Sequence, residues 1–214
     1  MFTRFDYKIL AFDPGLSTAG WNVSIFNTTD NILHVTDFGM LLPNKDINTK
    51  DSHLSYVKYG PRIVTLSELR RQVDVLVDRY KPHLIVSEDA FYNFKRPSAY
   101  SALIQWLTTV DMLLKDKYSK VLFKLAPKVA KQVVAGFGGA EKHGVQYAVL
   151  HRDDIDIQVA DAESKLTEHI CDSIGIAYAF ATGVLPALID IWESNYGEEK
   201  KEDSPGAHLK LQFS

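Results

Sequence analysis

The sequence predicts an α/β domain built on a mixed central β-sheet flanked by helices. Three observations predict it. Three strand-like runs come first, with no room between them for a crossover helix, so neighbours pair antiparallel. Helical periodicity then begins, and strand-like and helix-like segments alternate after it, the pattern of strands joined by helices. The 214 residues suit one well-cored domain, set at residues 1–190, followed by an acidic and poorly ordered tail over 191–214.

Residues 7–12 (YKILAF) are a short apolar run stopped by Asp13-Pro14-Gly15, a strand closed by breakers. Residues 20–27 and 32–42 are two further strands joined by the polar turn at 27–31. Residues 43–60 are polar and aperiodic and read as a mobile loop. Ile63, Leu66, Leu69, Val73, Leu76 and Val77 recur at helical spacing through Tyr80, where Lys81-Pro82 ends the pattern. Residues 83–87 (HLIVS) are a buried strand closed by Glu88. A helix over 98–114, a strand over 121–125 and a helix over 127–134 follow, the last with proline in its first turn. Gly136, Gly138 and Gly139 separate it from a helix over 141–150. A charged loop at 151–160 leads into one long helix over 161–182, ended near Gly183 and Pro186. From residue 197 the composition is that of a disordered tail.

With 46% hydrophobic and 24% charged residues the composition is that of a soluble globular protein, and no apolar stretch is expected to approach the roughly 20 residues of a bilayer span. The N-terminus has no signal-peptide pattern, and a single cysteine, Cys171, excludes an intrachain disulfide framework. An intracellular, cytoplasmic location is expected. The net charge of −3 argues weakly against a nucleic-acid partner. Distribution overrides the total: residues 91–142 carry nine lysines and arginines against Asp111, Asp116 and Glu141, so a basic central face is expected. The acids of the C-terminus either solubilise the chain or repel DNA outside the intended groove.

Hard divalent cations need oxygen-rich ligands, and two-metal phosphoryl chemistry needs several carboxylates converging from separate elements. Asp13 ends the first strand, Glu88 ends the fourth, and His169 and Asp172 stand at i and i+3 on one face of the last long helix. Each also has a plainer reading: a turn starter for Asp13, a loop carboxylate or helix cap for Glu88, a core histidine for His169, a lysine partner for Asp172. Three acids and a histidine at three separate elements, in this order, are the stronger pattern. The element order fits the RNase H-like fold.

Four blocks carry a family resemblance over residues 7–182. Residues 10–21 (LAFDPGLSTAGW) are similar to the opening strand of the RuvC family of Holliday-junction resolvases, whose aspartate binds metal. Residues 87–91 (SEDAF) resemble its E-x-x-F segment, a catalytic glutamate followed by an aromatic wedge. Residues 126–146 resemble the lysine- and glycine-bearing stretch that approaches DNA, and residues 169–177 (HICDSIGIA) resemble its H/D-x-x-D helix. The family's small-residue run after the wedge falls near residues 104–108 (IQWLT), a departure that bears on helix packing and dimer geometry. The longer segments at 43–60 and 183–214 look like a phage-type member.

The resemblance implies a homodimeric endodeoxyribonuclease that nicks opposing strands of a four-way junction symmetrically. Asp13, Glu88, His169 and Asp172 would hold two Mg2+ ions, with Mn2+ as a substitute, and the ends would be 5′-phosphate and 3′-hydroxyl. Expected DNA contacts are Phe91 as the wedge, with Lys95, Arg96, Lys128, Lys131 and Lys142; Lys128 and Lys131 share a helix face at i, i+3. A solvated helix face and a plain turn at 136–139 are the bland alternatives. Three other readings stay open. They are a broad branched-DNA debranching nuclease, a noncatalytic junction-binding protein, and an actin-like ATPase suggested by Asp13-x-Gly15-x-Ser17-x-x-Gly20, which lacks a second phosphate loop and a second domain.

Overall fold

The computed structural model describes residues 6–43, 57–58, 60–92, 97–139 and 142–196. Strands β1 (Asp6–Asp13), β2 (Ala19–Asn27) and β3 (Ile32–Leu41) form the antiparallel meander the short connections require. The β2–β3 turn closes on asparagines: Asn27 Oδ1 accepts from the Thr29 amide at 2.8 Å, and Asn31 takes a left-handed φ of 58°. Helix α1 (Pro61–Tyr80) ends at Lys81, which caps it at φ 46° before Pro82. The chain then enters β4 (Leu84–Glu88), parallel to β1. Helix α2 (Pro97–Tyr118) leads to β5 (Leu122–Leu125), parallel to β4. The remainder is α3 (Pro127–Ala135), α4 (Lys142–His151), β6 (Ile155–Ile157), α5 (Ala162–Lys165), α6 (Glu168–Gly183) and α7 (Leu185–Tyr196). The sheet is mixed and six-stranded, in the order β5-β4-β1-β2-β3-β6.

Strand alternation splits the apolar residues into two cores. Ile9 and Ala11 of β1, Phe26 of β2 and Val86 of β4 pack with α3, α4 and α6. Leu10, Phe12, Val23 and Ile85 point the other way, into α1 and α2, where Trp106 stands edge-on to Phe12 at a centroid distance of 5.6 Å. The result is a three-layer arrangement with α6 as the central helix of one layer. The bulky residues in the small-residue register of α2 are thereby explained: Trp106 and Leu107 fill the core, while Ile104 faces outward.

Several expectations are corrected. The stretch 151–160 contains β6, which pairs parallel with β3 through Leu33, His34 and Val35. It escapes notice because it is three residues long with an aspartate at its centre, on a sheet edge where Asp156 is exposed. The single helix over 161–182 is two, α5 and α6, interrupted at Leu166 and Thr167. Thr167 is the true N-cap, its hydroxyl accepting from the Ile170 amide at 3.4 Å. Beyond Gly183 the chain continues as α7, with Pro186 tolerated in its first turn, and runs across residue 190.

The expectation that no apolar stretch reaches bilayer length fails for Glu168–Ser194, which has that length and hydropathy. Its cause is burial within the protein: α6 is packed between the sheet and helices α3, α4 and α7, so it is apolar on nearly every face. Residues 44–56 and 59 of the expected loop, and the tail from 197 onward, lie outside the described residues.

Candidate active site

Register places the first two acids. Phe12 pairs with Ser87 across the parallel β1–β4 ladder, so Asp13 and Glu88 end adjacent strands side by side. Alternation then fixes the face, because Asp13 follows the parity of Ile9 and Ala11 and Glu88 that of Val86, all on the α6 side of the sheet. From that side α6 presents His169 and Asp172 in its first turns. His169 Nδ1 lies 2.5 Å from Asp13 Oδ2, and Asp13 is 7% exposed, a buried carboxyl with a polar partner.

The electrostatics are those of crowded anions. Burial first, and then the charges of Asp13 and Asp172, push the Glu88 carboxyl up to about 8, with Lys131 acting in the opposite direction. Burial, then Asp13 and Glu168, push Asp172 up to about 6, opposed by Lys131 and His169. The hydrogen bond to Asp13 raises His169 against the pull of burial. Negative charge is therefore in excess at this strand-end cluster, and a proton on Glu88 relieves it at neutral pH.

An oxygen-rich set with one imidazole is the donor chemistry that hard divalent cations take. Among the described residues no three of the His, Cys, Asp and Glu side chains close around one point. The His169 ring is turned onto Asp13, leaving Nε2 as its nitrogen for any ligand. The charge excess and the donor types nevertheless fit a divalent cation, which would replace the proton on Glu88.

The expected DNA-side residues divide. Phe91 and Tyr92, separated from Glu88 by Asp89 and Ala90, are 54% and 53% exposed, with Tyr92 edge-on to Tyr100 at 5.4 Å. Phe94, Lys95, Arg96 and Glu141 lie outside the described residues, and Lys142 is described only as the first residue of α4. On α3, Lys131 faces the acidic cluster, whereas Lys128 is exposed. Two amines of the basic segment are already paired, Lys117 with Asp74 and Asp78 and Lys124 with Asp111, so the basic face is narrower than its composition suggests. In the turn at 136–139 the Gly138 amide donates to Gln132 Oε1 at 2.8 Å, and Gln132 Nε2 donates to Gly136 O at 2.6 Å. That turn is braced by Gln132, and the Gly138 amide is already committed.

Sequence reasoning missed the parts that seat α6. A Cβ on Gly20 would lie 2.0 Å from the His169 carbonyl oxygen and 2.9 Å from the Ile170 nitrogen, so β2 and α6 touch backbone to backbone at the site. One turn deeper, Asn22 Nδ2 donates to Ser173 Oγ at 3.1 Å and Ser24 Oγ donates to Asn22 Oδ1 at 2.6 Å, all three residues fully buried. Such a satisfied buried network fixes the rotation of α6 and hence the aim of His169 and Asp172. The only available signal was polar residues at inward positions of β2. Gly20→Ala is expected to destabilise the fold by roughly 3 kcal/mol or more, since only backbone could yield. Thermal denaturation checks this beside Gly183→Ala, where a Cβ meets nothing within 4 Å and stability should hold.

A mixed sheet with helices on both faces and acids at the ends of its adjacent parallel strands defines the RNase H-like class. A family model described as crossover junction endodeoxyribonuclease RuvC matches residues 9–179. The RuvC of Dictyoglomus thermophilum is 32% identical over 141 residues, covering 66% of this chain and 78% of the relative. That of Alkaliphilus oremlandii is 27% identical over 141 residues, covering 66% and 76%. Among solved structures, Thermus thermophilus RuvC in complex with a Holliday junction substrate superposes with a TM-score of 0.63 at 17% identity, over 82% of this chain and 93% of that one, a likeness of fold. The chain belongs to the RuvC family of crossover junction endodeoxyribonucleases.

Proposed function

We propose that this protein resolves four-way DNA junctions by paired, Mg2+-dependent phosphodiester hydrolysis at the cluster of Asp13, Glu88, His169 and Asp172. The observation that carries the reading is the contact of His169 of α6 with Asp13 at the end of β1, beside the end of β4 where the Glu88 carboxyl is pushed up to about 8 by burial and by the charges of Asp13 and Asp172. When bound, two Mg2+ ions, or Mn2+ in their place, would supply the Lewis acidity for in-line hydrolysis that leaves 5′-phosphate and 3′-hydroxyl ends. Asp13 anchors the His169 ring through Nδ1 and keeps one carboxylate oxygen for a ligand. Glu88 gives up its proton on binding, and Lys131 limits the remaining repulsion. Lys128, Lys142, Lys95 and Arg96 contribute phosphate contacts, which position the DNA without reading its sequence.

The nuclease domain comprises residues 1–190 with the rest of α7, and the acids beyond it form a solubilising tail. A homodimer places two such clusters on opposing strands of the junction. A DNA substrate sets the place of action inside the cell, in the cytoplasm.

End-labelled four-way junctions, flaps and linear duplex, incubated with Mg2+ or with EDTA, test this reading. Paired metal-dependent nicks confined to the junction are expected. Equal cutting of every branched form would point to a debranching enzyme, and binding without cleavage to an architectural protein. Phe91 is exposed three residues after Glu88 and suits stacking on an unpaired base, so Phe91→Ala should lose about tenfold or more in junction cleavage. Its thermal midpoint and its affinity for linear duplex should not change.

A further inference from the structure

The His169 ring is held on two sides. Nδ1 lies 2.5 Å from Asp13 Oδ2, and Nε2 lies 3.4 Å from Thr18 Oγ1. Thr18 belongs to the turn between β1 and β2, and that turn is folded hard on itself: a Cβ on Gly15 would lie 2.1 Å from the Thr18 carbonyl oxygen. Two residues later Gly20 abuts the backbone of His169. Both ends of the Thr18–His169 contact are therefore set by backbone packing, and the half-buried hydroxyl is delivered to the ring by the turn that leaves β1 after Asp13.

The geometry points to Thr18 as a positioning residue for His169, its hydroxyl fixing the Nε2 edge while Asp13 fixes the Nδ1 edge. A carboxylate can only accept, so Nδ1 carries the proton of the Asp13 bond. The neutral ring then has its lone pair on Nε2, and the Thr18 hydroxyl donates to it. A valine of the same shape offers Nε2 no donor. At 3.4 Å the bond is long, so it orients the lone pair yet yields it readily to a stronger partner. The inference rests on His169 being a member of the proposed site.

The test compares Thr18→Val with Thr18→Ser in the full chain, with His169→Ala alongside. The 15N resonances of His169 are recorded without metal, and junction cleavage is measured with Mg2+. Thr18→Val is expected to keep its thermal midpoint, to shift the His169 Nε2 resonance, and to lower kcat about tenfold with KM for the junction unchanged. Thr18→Ser should restore both readouts. An unchanged Nε2 resonance in Thr18→Val, or a serine variant that behaves like the valine, overturns the role of Thr18 while leaving the site intact. Wild-type cleavage by His169→Ala would instead remove His169 from the site and the inference with it.

Discussion

Asp13→Asn is expected to lower junction cleavage by about a thousandfold or more, the equivalent of about 4 kcal/mol of transition-state stabilisation, while junction binding changes little. The substitution is nearly isosteric, and the asparagine carbonyl oxygen can still accept from His169 Nδ1, so the 7%-exposed pocket keeps its packing. What disappears is the negative charge at the end of β1, one of the charges that raise Glu88 and Asp172. Single-turnover cleavage and a gel-shift titration on the same junction separate the two effects. Binding and cleavage lost together, with a lowered thermal midpoint, would mean that Asp13 is structural.

Glu88→Gln is expected to make the metal-free protein more stable at alkaline pH, even as it abolishes cleavage. The folded-state carboxyl is raised from 4.5 to about 8, so its favourable contribution is complete below the unfolded value and is lost as pH rises through about 8. Asp172, raised from 3.8 to about 6, and His169, raised above its ordinary 6.5, act in the same direction. The wild-type chain in EDTA should therefore lose stability between about pH 5 and pH 8. In Glu88→Gln much of that slope should vanish, with a gain at pH 8 on the order of 3 kcal/mol. Denaturant titrations across this range check it, and a wild-type stability that rises with pH would contradict the charge-excess description. The same imbalance predicts that Mg2+ stabilises the wild type far more than the variant and releases about one proton on binding near pH 7.

Much of the fold was legible because its punctuation is local. Asp13-Pro14-Gly15 stops β1, Lys81-Pro82 stops α1, and the glycines at 136–139 separate α3 from α4, each through a backbone constraint that sequence states directly. The placement of the four candidate residues was legible for a related reason: strand ends and an i, i+3 pair are positions readable without tertiary structure. The true start of α6 was hidden, since Asp161-Ala162-Glu163-Ser164-Lys165 reads as a helix entrance whereas Thr167 is the working cap. β6 was hidden because its partner, Leu33 to Val35, lies about 120 residues away, and pairing across such a separation leaves no local mark. Gly20 and the Asn22–Ser24–Ser173 network were hidden because close backbone approach and buried polar pairing are properties of two elements in contact, not of either alone. The placement of Lys131 beside the acids, with Lys128 at the surface, likewise needed the packing of α3 against α6.

The most direct test of the central claim is anomalous diffraction from crystals of the protein grown with Mn2+. Scattering peaks are expected within about 2.5 Å of carboxylate oxygens of Asp13 and Glu88, with Asp172 and His169 Nε2 completing the ligand set. Peaks confined to other acids, such as Asp153, Asp156 or Glu163, with none at the ends of β1 and β4, would contradict it.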